Sequence, residues 1–234
     1  YLVNDQGEPL DSGGGVLDTE QKWQNYMYQI HTPQGTSEPV GTKVTLTADA
    51  PIFIKDGAAG QKETYVYFEG ASYSSTAKGT STTFEVQDDN KNYTAYFGYR
   101  KAKEGEVTMT KQYNPVVANG PKAGFKIQDV TPGINGQDAT WVSSSPDVYK
   151  KQLTEYHIYK VTEVPATGYT PVETFYLQYD GSKVNVVDKD GNAKTVKGVT
   201  VQGVNVTVVN DQDGSATTDK TYKVEHWIEG ESSA

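Results

Sequence analysis

Apolar and polar positions alternate in short rows along this chain. Three of the rows share a feature: each is closed by a polar residue that stands in phase with the apolar ones. Val107 and Met109 lead to Lys111, Tyr159 and Val161 to Glu163, and Val206 and Val208 to Asn210. Side chains two apart on a strand lie on one face. The pattern therefore carries a lysine, a glutamate and an asparagine to the edge of an apolar core or into it. Further strands are predicted at 25–32, 42–49, 63–70, 81–87 and 91–99, and at 123–130 (AGFKIQDV) and TFYLQYDG, with a closing strand after the hairpin DKDGN. Threonine, valine and tyrosine dominate these rows, and Gly, Asp and Asn punctuate them. Asp18 to Tyr26 could hold one or two helical turns capped at Asp18. The reading is all-β.

A polar residue at a strand end is ordinarily a solvated turn residue, and alone the three would be read that way. Buried without partners they would be costly. The flanking sequence points elsewhere. AGFKIQDV follows the Lys111 row after a linker, and Glu163 is followed by Pro165, Gly168 and Tyr169. Together with VTMTK and NVTVVN these segments resemble the collagen-adhesin B-type domain, also called SpaA-like or prealbumin-like, over about 105–213. The glutamate segment is close to that family's E-x-x-P-x-G-Y run, with Ala166–Thr167 between proline and glycine. The stretch 130–156 is longer and more polar than the family pattern.

The resemblance implies a covalent bond between Lys111 and Asn210, promoted by Glu163. Desolvation would leave the acid protonated and the amine neutral, hence nucleophilic. In this scheme the acid hydrogen-bonds the Asn210 carboxamide oxygen, the lysine attacks the carbonyl carbon, and Glu163 carries the proton to the departing nitrogen. The protein turns over once, on itself, and is not an enzyme in the ordinary sense.

The first half, about 23–100, resembles the internalin B-repeat type of spacer through GTKVTLTA, YVYFEG, TTFEV and NYTAYF. The expected layout is a flexible lead-in (1–22), a small β-grasp-like module (23–103) and a prealbumin/Ig-like isopeptide β-sandwich (104–213). A linker with the first strand of a further module follows (214–234). KAKEGE (101–106) is the joint.

Composition narrows the function. The 234 residues contain no cysteine, so no disulfide framework or thiolate metal site can form. The net charge is −9, and 9 Lys+Arg against 13 Asp+Glu in residues 1–103 place −4 of it there. Even acidity without a basic stripe disfavours nucleic acid and anionic membrane as partners. No run of 18 apolar residues exists to span a bilayer. Neither a signal peptide nor an LPxTG-like sorting motif is visible, which reads as an excerpt of a longer precursor.

Other constellations fail. His31, His157 and His226 lack ligand spacing for zinc. Asp188, Asp190 and Asn192 open like a calcium loop, but Ala193 stands where glycine is required and Val199 where glutamate is required; an Asp-Gly hairpin fits better. Gly13–Gly14–Gly15 lacks the context of a phosphate loop. Asn92 and Asn205 sit in chance N-x-T sequons. No cofactor or metal is expected.

The 17 tyrosines suit cross-strand packing, with Tyr65, Tyr67, Tyr93 and Tyr99 placed in or over the first sheet. The reading that follows is a monomeric stalk or spacer of a Gram-positive adhesin or pilin-like protein, extracellular and associated with the cell wall. Its partners would be other modules of the same surface protein. The alternative is a module that binds a host glycan or matrix protein.

Overall fold

The computed structural model describes residues 1–30, 37–48, 51–75, 81–88, 94–118, 120–121, 124–136, 138–141, 143–145, 148–164 and 166–214. The expectations for His31, Asn92, Tyr93, Pro165, His226 and the segment 215–234 lie outside them.

The first half contains β1 (Leu2–Val3), α1 (Glu20–Ile30), β2 (Lys43–Thr47), β3 (Ile52–Asp56), β4 (Lys62–Tyr67), β5 (Ser81–Glu85) and β6 (Tyr99–Lys101). Four strands form a mixed sheet in the order β1-β6-β4-β3, and β2 and β5 pair as a separate antiparallel ribbon. The second half contains β7 (Glu104–Asn114), β8 (Gly124–Asp129), β9 (Ala139–Thr140), β10 (Ser143–Ser145), β11 (Val148–Thr154) and β12 (Ile158–Val164). It continues with β13 (Tyr169–Thr170), β14 (Phe175–Tyr179), β15 (Val184–Val187), β16 (Val199–Gln202) and β17 (Asn205–Gln212). One sheet runs β10-β11-β7-β17-β13, with β16 also paired to β17; the facing sheet runs β15-β14-β12-β8-β9. The protein is all-β apart from α1 and a short 3₁₀ turn at Ala58–Gly60 among the described residues.

The main core lies between these last two sheets. Val107, Met109, Leu153, Val206 and Val208 meet Phe125, Ile127, Val161, Phe175 and Leu177, all fully or almost fully buried, with Trp141 beside them. Burying each of these side chains stabilises the fold by about 1.5–3 kcal/mol before entropy is counted. The inward positions of β7 are Val107, Met109, Lys111 and Tyr113, so the alternation in the sequence continues through the lysine without a change of face.

Several elements differ from the sequence expectation. Residues 25–32 were expected as a strand, but α1 runs to Ile30. Trp23 and Met27, one helical turn apart, are both buried, and this 3.6-residue spacing overrides the β-propensity of the tyrosines. The cap is Thr19, whose Oγ1 accepts from the Lys22 amide at 3.3 Å, whereas Asp18 pairs with the Lys22 ammonium.

The lead-in 1–22 contributes β1, parallel to β6, and buries Val3 at 2 % exposure. Of the strand expected at 91–99, the described residues 94–98 form none and β6 begins at Tyr99, the first residue to pair with both Leu2 and Tyr67. The strand β3 was not anticipated: its apolar triplet Ile52–Phe53–Ile54 does not alternate, which suits an edge strand with partial burial on both faces. Phe53 stacks on Tyr65 at 5.0 Å and meets Tyr99 edge-on, so Tyr65 and Tyr99 pack where expected.

The polar stretch 130–156 supplies β11, which pairs with β7 along seven registered positions. Asp188 to Asn192 forms the Asp-Gly turn, with Gly191 at φ +86°. Among the described residues no helix is long and apolar enough to cross a membrane, and no group of His, Asp and Glu side chains is arranged to hold a metal ion.

Candidate functional site: a buried lysine, glutamate and asparagine

Strands β7 and β17 are parallel neighbours, with Lys111 opposite Val208 and Asn210 opposite Tyr113. Lys111 and Asn210 therefore sit one face-sharing step apart on adjacent strands, both pointing into the core. Glu163 comes from the facing sheet, on β12, where it pairs with Phe125 of β8. The three side chains meet across the sandwich. All are buried, at 3 % for Lys111, 7 % for Glu163 and 1 % for Asn210.

One atom organises the group. Glu163 Oε1 accepts a hydrogen bond from Asn210 Nδ2 at 2.7 Å and lies 2.8 Å from Lys111 Nζ. The second oxygen, Oε2, accepts from the backbone amide of Val172 at 3.0 Å. This amide fixes the carboxyl plane. The lysine contact is close but oblique: it is an ion pair whose angles fall outside hydrogen-bond geometry, so Nζ has no hydrogen-bond partner. Nζ also lies 5.1 Å from the centre of the Tyr113 ring. That ring packs on Tyr169, and its hydroxyl donates to the Pro121 carbonyl.

Burial pushes the Lys111 ammonium below its ordinary pKa, and the Glu163 carboxyl opposes this in part. A larger fraction of the amine is neutral than on a surface lysine, and a neutral amine is a nucleophile. Asn210 presents its amide nitrogen to Glu163, and its Oδ1 is buried without a hydrogen-bond partner. This differs from the expected contact of the acid with the carboxamide oxygen. The orientation found here serves proton delivery to the nitrogen, and polarising the carbonyl would require a half-turn of the carboxamide.

Two other acids lie elsewhere. Glu155 is bound to Arg100, and Glu173 pairs with Lys194 near the surface. Sequence reasoning missed three contributors: the Val172 amide, Tyr113 and Gly198. Two carried a sequence signal: Tyr113 stands in phase with Lys111 on the same row, and Gly198 is a glycine just before β16. At φ +81° it passes so close that an added Cβ would lie 2.6 Å from the Val209 carbonyl oxygen and 2.9 Å from Val172 Cγ1.

No family model matches the chain, and no curated protein matches it. Solved structures do. The chain is similar to the pilus adhesin SpaC from Lactobacillus rhamnosus GG in its open conformation, at 15 % identity and TM-score 0.35 over 69 % of this chain. That match covers 19 % of the adhesin, so this chain spans less than a fifth of it. A C-terminal fragment of the same adhesin is matched at 16 % identity and TM-score 0.33, over 75 % of this chain and 78 % of the fragment. The major pilin protein T-13 from Streptococcus pyogenes is matched at 16 % identity and TM-score 0.26, over 76 % of this chain and 70 % of the pilin.

Proposed function

We propose that this chain is a structural segment of a Gram-positive surface protein, a stalk or spacer, and that an amide bond between Lys111 and Asn210 staples its second module. The observation that carries the reading is the shared contact: one buried carboxyl oxygen of Glu163 touches both the prospective nucleophile and the prospective leaving nitrogen.

The step balances. Neutral Lys111 Nζ attacks Asn210 Cγ, and the carbonyl electrons move onto Oδ1. Glu163 takes a proton from Nζ and returns one to Nδ2. The Cγ–Nδ2 bond breaks, ammonia leaves and the new Cγ–Nζ amide remains. Nothing is oxidised or reduced. Burial favours the product, because a neutral amide replaces a charged amine in a dry core. A chain without cysteine has no disulfide, and this crosslink would take that role.

Intact mass spectrometry of the folded chain tests the proposal. The expected mass is the sequence mass less one ammonia, and digestion should yield a branched peptide joining the segments of Lys111 and Asn210. An unreduced mass overturns it.

A further inference from the structure

The joint between the two halves is two residues long: β6 ends at Lys101 and β7 begins at Glu104. Both linker residues are pinned. The Ala102 amide donates to the Thr64 carbonyl of the first sheet. Lys103 faces the other way: its amide donates to Glu155 Oε2, and its carbonyl accepts from the Glu155 amide.

Side chains cross the seam in two places. Arg100, from the first sheet, makes a fork on Glu155 at 2.7 and 2.6 Å; the carboxylate side chain is 2 % exposed and the arginine 14 %. Beside it, Thr64 Oγ1 lies 2.6 Å from His157 Nε2, and His157 Nδ1 lies 2.5 Å from Asp129 Oδ2. Asp129 is held in turn by the Thr131 amide and hydroxyl. Hydroxyl, imidazole and carboxylate stand in the order of a nucleophilic relay. Here, however, Thr64 and His157 are buried at 6 % and 5 % between packed sheets, where an outside substrate has no approach. Tyr156, between Glu155 and His157, has φ +60°. A bulky residue holds that conformation only where its surroundings impose it; the tight β11–β12 crossing it makes brings Glu155 and His157 to the seam together.

We propose that this seam is a lock: Arg100–Glu155 and Thr64–His157–Asp129 fix the two halves at one mutual orientation, so that the chain moves as a single rigid rod and not as two modules on a swivel. Removing one partner of a buried charge pair leaves the other uncompensated, so the lock is closed or broken with little between. The inference does not depend on the Lys111–Asn210 bond.

Spin labels test it. The chain has no native cysteine, so Gln61→Cys and Lys189→Cys, exposed positions in the two halves, place one label on each. The otherwise unaltered chain should give one narrow inter-label distance distribution by pulsed EPR. Adding Arg100→Met together with Thr64→Val should broaden it, while circular dichroism shows both sheets still folded. The single Thr64→Val, which leaves no charge unpaired, guards against a folding failure of the double variant and should broaden the distribution less. A broad distribution before the seam is altered, or an unchanged narrow one after both seam substitutions, overturns the lock.

Discussion

Asn210 lies two positions beyond the residue that faces Lys111 on the neighbouring parallel strand, and Glu163 reaches across the core to touch both. The pairing joins positions about a hundred residues apart, and a crosslink there restricts the unfolded chain strongly. Lys111→Ala and Asn210→Ala should each keep the full sequence mass and lose about 4–5 kcal/mol by the loop-entropy model. For a protein of this size that is a fall of about 10–20 °C in Tm. Calorimetry together with mass measurement checks it; equal Tm values in variant and parent would remove the staple from the account.

Glu163→Ala should fold, remain uncrosslinked and melt at a lower temperature. Glu155 is engaged by Arg100 and Glu173 by Lys194, so neither is placed to substitute. Part of the stability loss comes from leaving Lys111 without its carboxylate, which makes mass the cleaner readout. Crosslinking at normal yield in this variant would assign the proton transfer to another group.

Gly198→Ala should damage the site without touching any of its three side chains. The left-handed backbone alone costs a non-glycine residue about 1–2 kcal/mol. The added methyl would also press on the Val209 carbonyl, next to Asn210, and on Val172, whose amide holds Glu163. A lower Tm is expected, with slower loss of ammonia as a newly synthesised, still uncrosslinked chain first folds. First folding with an unchanged rate of mass loss would show that the positioning tolerates the shift.

Asp129 sets an acid limit on the seam. Burial raises its pKa, but hydrogen bonds from His157 and Thr131 outweigh this and hold it below the ordinary 3.8. A carboxylate with a depressed folded-state pKa stabilises fully above the unfolded value and loses that contribution as pH falls through the folded one. Thermal melts should therefore be insensitive to this group above about pH 5 and should decline below the ordinary carboxylate range. In Asp129→Asn that acid-side decline should be shallower, and an identical slope would exclude Asp129 as its source.

Pulling on the two ends should open the first half before the second. The expected trace has one unfolding event sized to residues 2–103, because β1 belongs to the first sheet and the proposed bond takes residues 112–209 out of the path of the force. Optical-tweezer traces in which that hidden segment extends would refute the bond and its mechanical role together.

Much of this arrangement could be read from alternation alone. That Lys111, Glu163 and Asn210 share faces with buried valines follows from a period of two, and β7, β12 and β17 keep that period without a bulge. What a period cannot give is the pairing between strands. The parallel neighbours β7 and β17 lie almost a hundred residues apart, and the place of β11 beside β7 was hidden in a polar stretch whose outward residues outnumber its buried ones. The seam was invisible for another reason. Glu155 and His157 stand in phase with Leu153 and Tyr159, but as polar residues they extend no apolar row, and their value, like that of Arg100, depends on two halves meeting. The helix was expected only as far as Tyr26, with a strand from residue 25, because tyrosine is common in strands, although Trp23 and Met27 already stood one turn apart.

The parallel pairing of β7 and β17 also decides how the second half meets tension. The chain comes in at Glu104 and goes out after Gln212, at opposite ends of two strands that point the same way. A pull between those ends slides one strand along the other and does not peel them apart. In sliding, all the ladder hydrogen bonds of the pair resist at once, whereas peeling breaks them singly. Even before any covalent bond forms, this half is wired in shear, the stronger of the two ways to hang a load on a β-sheet.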